Sequence, residues 1–159
     1  RDQVPVNVVS GGRITALQWS PRARRISENI FTSFVYRVSF PYPAHWRRVS
    51  EERYEGADGF FQVSAISSSE GITEVCHSEA FHRLMPYGSS PRIVPVKIQN
   101  QEACFIFPSA DQPAEMNKQS ALIVRYPSPV QIGETFYNYF ILFADVNHIR
   151  QMGARLSFI

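Results

Sequence analysis

The sequence has few of the features that identify a common enzyme or a membrane protein. It contains no Gly-x-Ser-x-Gly turn, no His-Glu-x-x-His helix and no glycine-rich phosphate loop. Its longest apolar runs fall well short of the roughly 18 residues needed to cross a bilayer. The formal charge is only +2, from 16 basic and 14 acidic residues, although 14 of the basic residues are arginines. We therefore expect no cofactor, no bound metal and no nucleic-acid partner.

Cysteine is also scarce. The two cysteines, Cys76 and Cys104, are too far apart for a Cys-x-x-Cys motif and too few for a disulfide framework. A single bridge in an exported protein and two reduced, buried thiols fit the sequence equally well. Cysteine usage therefore leaves the redox compartment open.

What the chain does have is enough apolar material for one folded domain. Its 159 residues are 44% hydrophobic and 13% aromatic. Residues 1–30 differ from the rest and carry four arginines with few acidic neighbours: Arg13, Arg22, Arg24 and Arg25. These arginines could contact phosphate or anionic lipid, or could serve solubility alone. We predict a basic segment or linker over 1–30 and a single domain over 31–159.

The first part of that domain has the two-residue apolar period of β-strands. Phe34 to Phe40 alternates and should end at Pro41-Tyr42-Pro43, because proline lacks the N–H that a ladder needs. A second strand is predicted over Arg47 to Tyr54. The Gly56-Ala57-Asp58-Gly59 turn should connect it to a third strand, Phe60 to Ile66. The three segments predict an antiparallel meander.

The middle of the chain changes to a helical period and then returns to strands. Apolar residues three and four apart predict a helix from Ile72 to Leu84. Val94 to Ile98 alternates, and Pro95 within it indicates an edge strand. Ala103 to Phe107 follows as the next strand, and the polar stretch 108–119 is expected to be a long surface loop.

The last part predicts two more strands and a final helix. Ala121 to Tyr126 should stop at Pro127-Ser128-Pro129, and Phe136 to Ala144 is apolar on both faces, as in a mid-sheet strand. Asp145 is expected to cap a helix that carries Ile149 to Leu156 on one apolar face. The whole pattern predicts an α+β domain, with an antiparallel sheet of about six or seven strands flanked by helices.

Two short motifs resemble those of a known family. Phe40-Pro41-Tyr42-Pro43-Ala44-His45-Trp46 occurs early and Ala154-Arg155-Leu156-Ser157-Phe158 occurs late. With the element order, they resemble the PsbP-like fold over Phe34 to Phe158. The resemblance implies a PsbP-like sandwich, an extracytoplasmic setting as a secreted or lipid-anchored bacterial protein, and a partner-binding role without catalysis. It does not imply the photosynthetic task, because the features specific to that partner are missing.

One cluster predicts a binding surface. Guanidinium groups and aromatic rings alternate here and could bind an anionic or carbohydrate-like partner; the residues are Trp46, Arg47, Arg48, Arg53 and Tyr54. Glutamates are interleaved with these arginines, so self-compensating surface ion pairs are the competing interpretation. Asp111, in the 108–119 loop, is added as a further candidate contact.

Two classes of function follow from these residues. The first is a non-enzymatic binding or assembly module of the bacterial cell envelope, which recognises a protein or an envelope polymer through the loops around Trp46 and 108–119. An upstream anchor would allow it to associate with a membrane. The alternative is a small hydrolase-type enzyme that uses Glu79, His82 or Asp111 without a recognised motif. A third hypothesis, an intracellular adaptor, would conflict with a bridge between Cys76 and Cys104.

Overall fold

The computed structural model describes residues 9–10, 13–14 and 27–159. Two short strands near the N-terminus, β1 (Val9–Ser10) and β2 (Arg13–Ile14), pair antiparallel with each other. The other residues of the predicted basic segment up to residue 26, including Arg22, Arg24 and Arg25, lie outside the described residues.

A seven-stranded antiparallel sheet dominates the domain, with strand order β5-β6-β7-β11-β10-β9-β8. Its strands are β5 (Arg47–Arg48), β6 (Arg53–Gly56), β7 (Gly59–Ile66), β8 (Arg92–Ile98), β9 (Gln101–Phe107), β10 (Gln119–Ile132) and β11 (Thr135–Asp145). The predicted fold class, α+β with an antiparallel sheet of six or seven strands, is confirmed. β11 lies in the middle and buries residues on both faces, as its sequence predicts.

A second sheet of three strands, in the order β12-β4-β3, contains β3 (Glu28–Ser33), β4 (Val38–Pro43) and β12 (Ser157–Phe158). The single strand predicted from Phe34 to Phe40 is wrong, because residues 34–37 form the turn between β3 and β4. In that turn the Tyr36 N–H donates to Ser33 Oγ, and Arg37 has a positive φ. β3 also begins before residue 31, where the sequence predicts the domain boundary.

Pro41 and Pro43 lie inside β4, although proline was expected to end the strand. The N–H of Ala44 donates to the carbonyl of Ser27 on the β3 side. Since alternate residues of an antiparallel strand direct their N–H groups to opposite sides, the two prolines face the side of β12. β12 does not pair beyond Ser39. No ladder hydrogen bond is therefore lost at either proline.

Helix α1 (Ile72–Ala80) covers one face of the main sheet. It ends earlier than predicted, and Leu84 is 73% exposed instead of joining the apolar face. A disulfide between Cys76 of α1 and Cys104 of β9 joins the helix to the sheet. Of the two states that the sequence left open, the structure therefore contains the bridge.

Helix α2 (Ile149–Ala154) and the three-stranded sheet cover the opposite face. Gly153 brings α2 close to the sheet, since a Cβ there would lie 2.8 Å from Leu122 Cδ2. The prediction that Asp145 caps this helix is wrong. His148 occupies the N-cap position, and the Asp145 carboxylate accepts from backbone N–H groups at Phe60 and Asn147 instead.

Two further differences come from strand pairing. β10 continues through Pro127 and Pro129, where it was expected to stop, because its register against β11 shifts between Arg125 and Val130. The strand predicted from Arg47 to Tyr54 is instead the hairpin of β5 and β6. The 108–119 loop is present, as predicted, and contains one 3-10 turn at Ala114–Met116.

Among the described residues, no helix has the length and apolarity needed to span a membrane.

Candidate functional site

Trp46, the centre of the sequence-predicted binding surface, is a core residue. Its side chain is only 3% exposed and packs beside Phe61. The turn between β6 and β7 makes room for it, because a Cβ at Gly56 would overlap the indole and one at Gly59 would lie 2.7 Å from Trp46 Cζ2. The indole N–H donates to Asp58 Oδ1 over 2.7 Å. Trp46 therefore contributes a support for Asp58, not a stacking surface.

Asp58 is the centre of a polar group that we call the corner cluster, comprising His45, Trp46, Asp58, Asp145 and His148. His45 Nε2 lies 2.8 Å from Asp58 Oδ1, and His148 Nε2 lies 4.0 Å from Asp58 Oδ2. The rings of His148 and Trp46 also meet in a T-shaped arrangement, with their centroids 4.9 Å apart. The cluster thus joins the chain before β5, the β6–β7 turn and the start of α2.

The two carboxylates of the corner cluster differ in exposure. Asp58 is half exposed, and hydrogen bonds from Trp46 and then from His45 lower the pKa of its carboxyl below the usual value of 3.8. Asp145 is buried at 5% exposure; its Oδ1 accepts from the Phe60 N–H over 3.0 Å, and its Oδ2 lies 2.7 Å from His148 Nδ1. Asp145 therefore orients the imidazole, and Asp58 supplies an exposed negative charge.

A cleft of about 400 Å³ opens beside this cluster. One wall is the β6–β7 turn with Arg53 of β6, and the other contains Asn117 and Lys118 from the end of the 108–119 loop. The Val146 N–H donates to the Lys118 carbonyl and fixes that wall. The fold thus brings together the two chain regions that the sequence proposed separately.

The remaining residues of the predicted binding surface differ in their exposure and in their contacts. Arg47 and Arg48 are exposed, with Arg48 at 4.0 Å from the Glu51 carboxylate. Arg53 donates to Gln62 and lies 3.5 Å from Glu55, and Tyr54 stacks on the ring of Phe61. Glu51 and Glu55 of the interleaved glutamates therefore form surface pairs, and Tyr54 is a packing residue.

Asp111 belongs to a separate loop network. It accepts from Ser109 Oγ over 2.6 Å and from the Ser89 N–H over 3.0 Å. These bonds, first from Ser109 and then from Ser89, lower the pKa of Asp111 to about 2. They hold the loop around Gly88, which has a positive φ. The carboxylate thus remains ionised at neutral pH, and both serines donate hydrogen bonds to it.

The other two residues of the enzymatic alternative also have structural partners. The Tyr87 hydroxyl donates to Glu79 Oε2 over 2.7 Å, and the Leu84 N–H donates to His82 Nδ1 over 3.1 Å. Burial, and then the charge of Glu79, raises the pKa of Tyr87 above its ordinary value of 10. Within the described part of the chain, no three His, Cys, Asp or Glu side chains are arranged to hold a metal ion.

Comparison with known proteins identifies one similar fold. No protein-family model matches the chain, and no curated protein matches its sequence significantly. The course of the chain is similar to that of cyanobacterial PsbP. The solution structure of this protein from Synechocystis sp. PCC 6803 matches with a TM-score of 0.42 and 8% identity, over 87% of this chain and 96% of that one. The similarity agrees with the PsbP-like fold expected from the sequence and concerns the fold alone.

Sequence reasoning missed three members of this site. His148 lies far along the chain from His45 and Asp58, and the pattern around Asp58 predicts only a hairpin turn. The available signal was an aspartate between glycines in a two-residue turn, downstream of a tryptophan that needs an indole partner when buried.

Proposed function

We propose that this protein is a non-enzymatic binding module, and that the cleft beside the corner cluster receives a protein or an envelope polymer. The observation that carries this proposal is the composition of the cleft. Two cations, Arg53 and Lys118, and three carboxylates, Glu55, Asp58 and Asp145, lie around a single opening of about 400 Å³. A mixed-charge opening of this size suits polar recognition of a macromolecule.

The support beneath the cleft favours binding by a preformed surface. Asp58 is held by Trp46, and Trp46 is held by the core, so the carboxylate is already positioned before a partner arrives. Preorganisation of this kind reduces the entropy lost on association. The residues around the cleft thus act as a rigid frame.

The enzymatic alternative has less support. Glu79, His82 and Asp111 each accept a hydrogen bond from a neighbour within its own local loop or helix end. A general base needs access to a substrate proton, and these acceptors are engaged in holding turns. The proposed role therefore does not use them.

The proposed compartment is outside the cytoplasm. A disulfide joins Cys76 and Cys104, and such bridges persist mainly in oxidising compartments. This favours the cell envelope or secretion, as the PsbP-like resemblance implies, over an intracellular adaptor.

Site-specific crosslinking in the producing cells tests the proposal. We would place p-benzoyl-phenylalanine at Ala57, an exposed residue of the cleft wall, and at Glu134, an exposed residue outside the cleft, as the matched control. We expect a discrete adduct from position 57 that decreases when Lys118→Glu is added. Identical adducts from both positions, or none from position 57, would overturn the proposal.

A further inference from the structure

A second surface with a groove lies along the outer strand β8. β8 and β5 are the outer strands at opposite edges of the main sheet, so this surface is distinct from the corner of the β6–β7 turn. A groove of about 350 Å³ runs between β8 and α2. Its lining is mainly apolar: Val96, Ile98, Phe105, Gly153 and Ala154. A volume of this size is at the lower end of ligand pockets, roughly 300–1,000 Å³.

Arg150 lines this groove, and it converges with Arg92, at the start of β8, on one aromatic ring. The Arg92 guanidinium carbon lies 5.0 Å from the centroid of Phe107, and that of Arg150 lies 4.3 Å from it. Both side chains are exposed, whereas Phe107 is buried beneath them. Stacking on a ring restricts each guanidinium and leaves its N–H donors free to face outward.

Within residues 27–159, no nearby carboxylate neutralises the positive charge of these arginines. Among residues 27–159, no carboxylate lies within 4.0 Å of either guanidinium, whereas Arg48, Arg53, Arg125 and Arg155 each have a carboxylate within that distance. The Lys97 side chain on the same strand is exposed as well. The groove therefore combines an apolar floor with an uncompensated cationic border.

This combination selects the chemistry of the ligand. Carboxylates pair with arginine forks, and aliphatic side chains gain by leaving water for the apolar floor. A uniformly charged polymer would use only the border, whereas a protein segment can supply both kinds of group. We propose that the groove between β8 and α2 docks a protein segment in which acidic and apolar residues are adjacent.

Recognition in this groove is through side chains. Pro95 lies in the middle of β8 and has no N–H to offer an incoming strand. Main-chain pairing along the strand would therefore be interrupted at its centre. The specificity comes from the arginines and from the apolar floor.

The test uses a fluorescein-labelled peptide with repeating Glu-Leu-Asp-Val, titrated with the purified protein and followed by fluorescence anisotropy. We expect saturable binding that the Arg92→Gln/Arg150→Gln double variant weakens about tenfold or more. Arg37→Gln/Arg83→Gln is the matched control, because it removes the same charge from two exposed positions outside the groove. It should bind as the wild type does.

A second variant keeps the arginines and alters only the groove wall. Ala154→Glu places a negative charge at an exposed position beside the apolar floor and should also weaken binding. Three results would each overturn the proposal: no saturable binding, an equal loss in both double variants, or polyglutamate binding as tightly as the mixed peptide. These results do not depend on the crosslinking outcome at the corner cleft.

Discussion

Gly59→Ala should destabilise the protein strongly, although it adds only one methyl group. Gly59 has no positive φ, so alanine introduces no backbone strain there. Its Cβ would instead overlap Asp145 Oδ1 and come within 2.7 Å of Trp46 Cζ2. Both neighbours are buried, at 5% and 3% exposure, and neither can move into solvent without breaking other contacts.

The expected loss in the free energy of unfolding follows from the displacement of Asp145 and Trp46. Displacing Asp145 leaves the buried Phe60 N–H without its acceptor, which costs about 1–3 kcal/mol. Shifting the indole of Trp46 overpacks the core, at about 1–3 kcal/mol. We expect a loss of about 3 kcal/mol in the free energy of unfolding. For a domain of this size, that corresponds to a Tm lower by about 6–12 °C.

Urea denaturation followed by circular dichroism measures this loss directly. Gly71→Ala is the matched control, because among the described residues its Cβ would meet only the flexible end of Glu74, at 3.4 Å. Its cost at the start of α1 should stay below about 1 kcal/mol. A Gly59→Ala protein within about 0.5 kcal/mol of the wild type would refute the packing described for Trp46 and Asp145.

Three further predictions concern other parts of the fold. Replacing both Cys76 and Cys104 by alanine opens a loop with a sequence separation of 28 and should cost about 3.5 kcal/mol in chemical denaturation; an unchanged midpoint would contradict this. Because the folded pKa of Asp58 lies below its ordinary 3.8, its stabilising contribution is present above that pH and lost as the pH falls further. Asp58→Asn should therefore flatten the dependence of unfolding free energy on pH below about 4, and a curve parallel to that of the wild type would argue against the Trp46 and His45 contacts. Pro95→Thr restores an N–H to the outer strand β8 and should cause concentration-dependent self-association in light scattering, whereas a protein that stays as monodisperse as the wild type would count against this edge-protecting role.

Local patterns in the sequence were sufficient to predict strands whose apolar faces are buried as the side-chain period indicates. The alternation in 60–66 and the two-sided apolar run in 136–144 predicted β7 and β11, because a side-chain period of two arises from strand geometry itself. Pro95 correctly placed β8 at an edge. The α+β class follows from these local signals.

Tertiary structure decided where prolines and turns were allowed. Pro41 and Pro43 fit inside β4 only because β12 is too short to pair with them, which no local pattern could reveal. Local patterns also failed to reveal that β10 extends past Pro127, and that residues 34–37 form the turn between β3 and β4. Proline removes a donor, and whether that donor was needed depends on the neighbouring strand.

The site shows the same division between chain and fold. The sequence alone determined which side chains carry a charge or an aromatic ring, among them Trp46, Arg53 and Asp111, since side-chain chemistry is a property of each residue. The fold decided that Trp46 would be buried beneath Asp58 and that Arg53 would face Lys118 across a cleft. Proximity between segments sixty or more residues apart depends on strand order and helix docking, and those are set by burial of the whole apolar surface together.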